Sequence, residues 1–226
     1  MNKYLFIKNF ITRKNLMALT GLFLSFFLII HLLGNFQLLL PADEAQIQFN
    51  AYAKFLGSLL PIKIISYGLY ACIIAHAIDG IYLFIKSKIA NGVKYAYDKR
   101  KRASSWQSRN MTFLGSILLL FLVIHFKDFW FHFKFGDLPL DKSGNKDLYT
   151  LVINAFTEWW YVLFYLISIL ALGFHLLHGI FSAHRSLGLY HPMYAKVVKF
   201  LGIGFALVMT FGYMVIPVII YYNQNY

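Results

Sequence analysis

The chain has 226 residues, of which 59% are hydrophobic and only 13% charged, whereas a soluble domain has about 45–50% apolar and roughly 25% charged residues. Lys and Arg number 21 against 9 Asp and Glu, a formal net charge of +12, and the aromatic content of 19% excludes a disordered chain. The single cysteine, Cys72, excludes an intrachain disulfide and any multi-cysteine metal site, so an integral membrane protein is the first class to test.

Five stretches are long and apolar enough to cross a bilayer, which takes about 20 residues as a helix. In chain order they cover residues 16–40, 62–86, 110–133, 158–184 and 198–222, and we call them spans 1 to 5. The backbone must satisfy its own hydrogen bonds in lipid, and no stretch alternates as a barrel strand would. The sequence therefore predicts an all-α integral membrane protein, with residues 1–226 forming a single membrane domain. Span 1 is too long to be the apolar region of a cleaved signal sequence.

Charge orients the predicted bundle. The N-terminal segment and the second and fourth loops hold 15 basic residues and one acid, Asp98. The first and third loops hold six lysines and seven acids. Because basic loops stay in the cytoplasm, we expect a cytoplasmic N-terminus and, after five crossings, an external C-terminus. The basic run Lys99–Arg102 fits a topology signal, an anionic-lipid contact or a docking surface for a cytoplasmic partner better than a nucleic-acid site.

Four histidines lie one on each of spans 1 to 4: His31, His76, His125 and His175. With a rise of about 1.5 Å per residue, His31 and His125 each lie roughly 22 Å from the cytoplasmic ends of their helices. His76 and His175 lie roughly 14–15 Å from theirs. The spacing therefore predicts two pairs at two depths, His31 with His125 nearer the outside and His76 with His175 nearer the cytoplasm. Buried polar groups in lipid are costly and usually functional.

Two histidines facing each other at one depth can ligate a haem iron from both sides, which gives an electron carrier. A single tetrahedral zinc site fits two layers poorly. Four glycines, at Gly21, Gly80, Gly115 and Gly179, fall at one level of their helices. Missing side chains there would either make room for a flat macrocycle or allow close helix packing, and both interpretations remain open.

The motifs that carry these histidines resemble a known family. They are GLFLSFFLIIHLLGN in span 1, IIAHAIDGIYL in span 2, SRNMTFLGSILLLFLVIH in span 3 and FHLLHGIFSAHRSLGLYHP in span 4. Together they resemble the single-subunit, five-helix, two-haem cytochrome b membrane anchor of succinate dehydrogenases and quinol:fumarate reductases. The resemblance covers most of the chain, with span 5 similar only in character.

The resemblance implies a bundle of the first four helices around two haems b in the inner cell membrane. His76 and His175 would ligate the inner haem iron, and His31 and His125 the outer one. A flavoprotein subunit and an iron–sulphur subunit on the cytoplasmic face would handle succinate and fumarate, and menaquinone would exchange electrons with the haems. The dicarboxylate chemistry would then lie outside this chain.

Several assignments stay open at this stage. His178 is a second candidate ligand on span 4 and competes with His175. Arg109 and Arg185 stand at the cytoplasmic ends of spans 3 and 4, where they could bind haem propionates or simply anchor the helices. Asp79, one turn beyond His76, calls for a partner, either one of these arginines or a ligand histidine.

Two positions depart from the fumarate reductase branch of the family. The stretch 49–60 carries no acid where that branch has a glutamate near the outer end of span 2. Gly173 stands where that branch has a glutamate two residues before the span 4 ligand. These departures put the fumarate-reducing direction and its proton transfer in doubt.

Two alternative functions are a haem b subunit of another membrane oxidoreductase and a membrane transporter with a histidine relay. Many such transporters are built from two similar halves, and five helices do not divide into two equal halves.

Overall fold

The computed structural model describes residues 12–90, 105–189 and 191–226, so the run Lys99–Arg102 lies outside the described residues. Within those ranges the chain is helical and contains no β-strand, only one isolated bridge between Leu140 and Lys146. Five helices are long and apolar enough to cross a membrane: Arg13–Leu39, Leu60–Ile89, Met111–Phe135, Trp159–Ser186 and Pro192–Asn225. The prediction of an all-α fold with five helices long and apolar enough to span a membrane is confirmed.

The helices extend beyond the predicted spans, most clearly at span 5, which begins at Pro192 rather than at residue 198. Proline suits the first helical position because its missing N–H has no partner there. The ring Nδ1 of His191 accepts a hydrogen bond from the Met193 N–H at 3.2 Å and caps the helix. Span 1 begins in the same way, with the Thr12 hydroxyl accepting from the Asn15 N–H at 3.3 Å.

The first and third loops contain two helices that the sequence analysis did not predict, Ala42–Ser58 and Leu148–Ala155. They pack against each other through a set of polar groups, which we call the polar cap: Gln46, Asn50, Asp141, Asp147 and Thr150. The amide nitrogen of Asn50 donates to Asp141 and to Asp147, each at 3.1 Å, and its oxygen accepts from the Tyr149 N–H at 2.9 Å. Asn50 is only 1% exposed and joins the two loops.

Acid should loosen the polar cap. Burial raises the pKa of Asp147, but hydrogen bonds from Thr150, Asn50 and Gln46 outweigh it and hold that pKa below its ordinary value. Such a carboxylate stabilises the fold fully above its unfolded pKa of about 3.9, and the stabilisation is lost as the pH falls through the lower folded-state pKa. Hydrogen exchange, corrected for intrinsic rates, should show the Thr150 amide losing protection below about pH 4.

The amide of Ser108 is the control for this experiment. It also donates to an N-cap side chain, but its acceptor is the Ser105 hydroxyl, which does not titrate in this range. Equal loss of protection at Thr150 and Ser108 would show that acid acts on the whole fold rather than on the polar cap.

Span 4 is the most enclosed of the five helices and packs against spans 1, 3 and 5. It approaches span 5 closely at Gly173, where an added Cβ would collide with the side chain of Thr210. Thr210 is buried and donates its hydroxyl proton to the Ala206 carbonyl at 2.7 Å. A larger residue at position 173, including the glutamate of the fumarate reductase branch, would therefore require spans 4 and 5 to move apart.

Replacing Gly173 with alanine should destabilise the bundle by about 1–3 kcal/mol, the usual effect of overpacking a well-packed core. Gly204→Ala on span 5 is the matched control, because no heavy atom of the described residues lies within 4 Å of the Cβ that it adds. Both changes gain the same helix propensity, so a difference between their unfolding midpoints in detergent isolates the contact with Thr210. Equal midpoints would show that spans 4 and 5 are not packed closely here.

Candidate functional site

The structure brings His31 of span 1 beside His125 of span 3. Their ring centroids are 5.8 Å apart, with the ring planes at 87°. Phe27 stacks on His31 at 5.3 Å and Phe121 stacks on His125 at 5.4 Å. The two rings that the depth count placed at one level therefore lie together in an aromatic setting. We call them the His31–His125 pair.

A second pair joins span 2 to span 4. The ring centroids of His76 and His175 are 6.1 Å apart, with the planes at 63°. The span 4 ring beside His76 is thus that of His175, and His178 lies one helical turn further along. We call this the His76–His175 pair. Its role as a ligand pair remains a prediction, but the geometry places His175 where the proposed partner of His76 has to be.

Both separations are compatible with one bridged metal ion. A metal–imidazole nitrogen bond is about 2 Å, so two such bonds on opposite sides of an ion hold the ring centroids about 6 Å apart. The same separations are also those of edge-to-face ring contacts, which have centroids about 4.5–7 Å apart. Within the described residues no group of three or more His, Cys, Asp or Glu side chains could hold a bare ion.

Thr20 of span 1 contacts the His76 ring. The Thr20 hydroxyl oxygen lies 2.9 and 3.2 Å from the carbonyl oxygens of Leu16 and Met17, and 3.1 Å from Nδ1 of His76. When the hydroxyl donates to a backbone carbonyl, its oxygen accepts from Nδ1–H of His76, and Nε2 keeps the lone pair that a metal-ligating histidine requires.

His175 has a different environment. Its Nδ1 atom is buried and has no hydrogen-bond partner among the described residues. Buried polar atoms are paired in the great majority of cases, so an exception needs a reason. The unpaired nitrogen marks the His76–His175 pair as a place where the chain itself does not satisfy all of its polar groups.

The four glycines at one level have different surroundings. A Cβ on Gly21 would lie 3.0 Å from Cε1 of His76, so this glycine lets the His76 ring pack against span 1. A Cβ on Gly80 or Gly179 would meet only a methionine methyl, at 3.3 and 3.9 Å. Around Gly115 no described heavy atom comes within 4 Å of that position. Close packing thus accounts for Gly21, whereas Gly115 borders open space.

Asp79 pairs with a residue that the sequence analysis did not consider. Its Oδ1 atom forms an ion pair with the Arg13 guanidinium at 2.5 Å, rather than with Arg109 or Arg185. Asp79 is 1% exposed, and Arg13 also lies 4.8 Å above the Tyr82 ring. Asp79 is thus part of an ion pair, but its partner is Arg13 at the start of span 1 and not one of the residues that the sequence analysis named. The pair ties spans 1 and 2 together one turn from His76.

Arg109 ends the short helix Trp106–Arg109 that leads into span 3, and Arg185 lies in the last turn of span 4. Both are exposed and lie at the same end of the bundle, because spans 3 and 4 run in opposite directions. Trp106 packs on Phe174 at 5.6 Å and so brings the start of span 3 beside His175. Contact of either arginine with a haem propionate remains a prediction.

Three residues around the pairs were not singled out from the sequence: Thr20, Tyr165 and Tyr213. Tyr165 lies 3.1 Å from Nδ1 of His125. Tyr213, on span 5, donates to the Leu28 carbonyl at 2.7 Å, with its ring centroid 6.1 Å from that of His31. Span 5 therefore also lines the His31–His125 pair. Only Thr20 had a signal in the sequence, as a hydroxyl in an apolar span beside Gly21.

Comparisons of the chain with protein-family models, with curated proteins and with solved structures find no match. The functional argument therefore rests on the arrangement of the histidines and of the side chains that surround them.

Proposed function

We propose that this chain is a dihaem cytochrome b membrane anchor of a succinate:quinone oxidoreductase. The observation that carries the proposal is the repeated geometry of the two histidine pairs. Each joins two helices that run in the same direction and has ring centroids about 6 Å apart, and the rise per residue puts the two pairs at different depths. One pair alone could be ordinary helix packing. Two pairs on four successive spans fit two bis-histidine haems and support the assignments suggested by the resemblance.

His31 and His125 would hold the outer haem iron, and His76 and His175 the inner one. A bis-histidine haem carries one electron at a time and has no open coordination position for exogenous ligands. The chain's own residues do the remaining work. Thr20 orients His76, the aromatic side chains around His31 and His125 exclude water, and the apolar helices provide a low dielectric that tunes both centres. Arg109 and Arg185 would pair with carboxylates at the inner end.

The two depths give electrons a path across the membrane. With the N-terminus in the cytoplasm, the His76–His175 pair lies nearer the basic loops and the His31–His125 pair nearer the opposite side. An iron–sulphur subunit with its flavoprotein partner would dock on the cytoplasmic face. Electrons would then pass through the inner and outer centres to or from menaquinone in the inner cell membrane. The direction proposed is succinate oxidation, with fumarate reduction as the alternative.

Electron exchange with quinol tests this function directly. The full chain is purified in detergent from cells that supply haem, oxidised, and mixed with a menaquinol analogue while the haem absorption is recorded. We expect both haems to become reduced. A chain that carries two haems but stays oxidised at excess menaquinol, while dithionite reduces it, would contradict the quinone-reactive role and leave the haem assignment standing.

A further inference from the structure

A chain of hydrogen bonds leads from His125 to the end of span 3. Nδ1 of His125 lies 3.1 Å from the Tyr165 hydroxyl, which lies 3.3 Å from the Tyr161 hydroxyl. Tyr161 donates to Oδ2 of Asp128 at 2.9 Å. The three side chains beyond His125 connect span 3 to span 4 and back again. We call Asp128, Tyr161 and Tyr165 the acid–tyrosine chain.

The direction of every bond in this chain follows from the acid at its end. Tyr161 has one hydroxyl proton and gives it to the Asp128 carboxylate, so its oxygen can only accept from Tyr165. Tyr165 has then used its own proton and can only accept from His125. The proton on the His125 ring is therefore at Nδ1, which leaves Nε2 with a free lone pair. At His76 the same tautomer requires only that Thr20 donate to the backbone, whereas at His125 it requires three residues.

The helix geometry at this place is unusual. Span 3 is α-helical over Met111–His125 and changes to a π-helical turn over Phe126–Phe131. The wider turn begins directly after His125 and contains Asp128. Such turns are rare and occur frequently at functional sites. Asp128 lies within the membrane-spanning helix Met111–Phe135, where its side chain is 25% exposed and its Oδ1 atom pairs with Nζ of Lys127 at 3.2 Å.

The far end of the acid–tyrosine chain opens to a cavity. Asp128 and Tyr161 line a cavity of about 370 Å³ together with His132, Asn154 and Glu158. The other end of the acid–tyrosine chain, at Tyr165, is shielded from water. Tyr165 is only 6% exposed and packs against Phe121, Phe129 and Phe156, with ring centroids 4.9–6.4 Å apart. The acid–tyrosine chain thus connects the apolar interior around His125 to the accessible carboxylate of Asp128 at the cavity.

We infer that Asp128, Tyr161 and Tyr165 are positioning residues. They fix the Nδ1–H tautomer of His125, and through their hydrogen bonds the negative charge of Asp128 polarises the imidazole ring of His125. This inference rests on the proposed function only for its effect on a haem. A ligand histidine whose second nitrogen donates toward a carboxylate is a stronger base and a better iron ligand. Hydrogen bonding around the axial ligand is also one of the ways in which a protein lowers a haem potential.

The first test uses the full chain without haem. Nitrogen-15 spectra of histidine-labelled protein distinguish a protonated Nδ1 from a protonated Nε2, and the His125 signals are assigned by their loss in His125→Gln. We expect His125 to be almost entirely in the Nδ1–H form. Tyr165→Phe, which keeps the ring and removes the acceptor, should give a mixture of the two tautomers. A wild-type His125 that carries its proton on Nε2 would overturn the inference.

The second test uses the haem-loaded protein. Outer-haem affinity should fall at least about tenfold in Tyr165→Phe, the usual effect of losing such a supporting contact. In Asp128→Asn the negative charge is lost, so the outer haem potential should rise. The inner haem potential should stay unchanged in both variants. An outer haem with wild-type affinity and potential in both variants would refute the positioning role.

Tyr70→Phe is the matched control. It removes a tyrosine hydroxyl that accepts from Nε1 of Trp130 at 2.8 Å, in contact with the same π-helical turn but outside the acid–tyrosine chain. We expect this variant to retain the wild-type tautomer and both potentials. Equal effects from Tyr70→Phe and Tyr165→Phe would show that any lost hydroxyl in this region disturbs the site, which overturns the inference. A wild-type chain that binds no haem contradicts the proposed function, yet the nitrogen-15 result still decides the tautomer.

Discussion

Replacing His76 or His175 with alanine should remove one of the two haems and leave the other in place. Each iron would depend on two protein ligands, so loss of either imidazole leaves one ligand and an apolar hole at that depth. The His31–His125 pair shares no side chain with the affected site and should keep its haem. The haem content per polypeptide should fall to about half, measured as the pyridine haemochrome of the purified chain.

His178→Ala is the control for this experiment. His178 lies on the same helix, one turn from His175, but the ring beside His76 is that of His175. We therefore expect His178→Ala to retain both haems. Loss of the inner haem in His178→Ala together with its retention in His175→Ala would show that the ligand on span 4 has been assigned wrongly.

Asn50→Ala should be the most damaging change outside the histidine pairs. It removes one side chain that makes three hydrogen bonds between the first and third loops. Asp147 would keep its hydrogen bonds from Gln46 and Thr150, but the Tyr149 N–H would lose its partner. Leaving a buried group unsatisfied destabilises by about 1–3 kcal/mol. We expect a loss of about 2–3 kcal/mol in the free energy of unfolding, measured by denaturation of the purified chain in mixed detergent.

Gln48→Ala provides the comparison on the same helix. The Gln48 side chain is exposed and bonds only to Glu44, one turn earlier. Its removal should change the free energy of unfolding by less than about 0.5 kcal/mol, as expected for a surface substitution. If Asn50→Ala were as mild as Gln48→Ala, the two loops would not depend on the polar cap for their association.

The five spans and the two histidine pairs could be predicted because both follow from short-range properties of the sequence. An apolar run sets the length of a helix, and the rise per residue sets the depth of each histidine. Those two facts were enough to place His31 level with His125 and His76 level with His175. The start of span 5 was predicted six residues too late, because Pro192 and its His191 cap extend the helix beyond the apolar run.

The side chains that support the pairs could not be predicted in the same way, because their partners are distant in sequence. Asp79 pairs with Arg13, which is 66 residues away in sequence, and His125 forms a hydrogen bond with Tyr165, which is 40 residues away. Which residues meet depends on how far each helix is rotated, and hydropathy does not determine that rotation. The π-helical turn at Phe126–Phe131 also changes the rotation of span 3, and no feature of the sequence announced it. The two loop helices depend on Asn50, which resembles an ordinary polar loop residue until its partners are known.

The central claim is that one polypeptide holds two haems between four membrane helices. Its most direct test is the haem content of the purified full-length chain, taken from the reduced-minus-oxidised spectrum and the pyridine haemochrome and divided by the protein concentration. The account predicts two haems b per chain, each low-spin in both oxidation states. A folded chain that is colourless when purified from haem-replete cells, or that binds haem with an open coordination position, would contradict it.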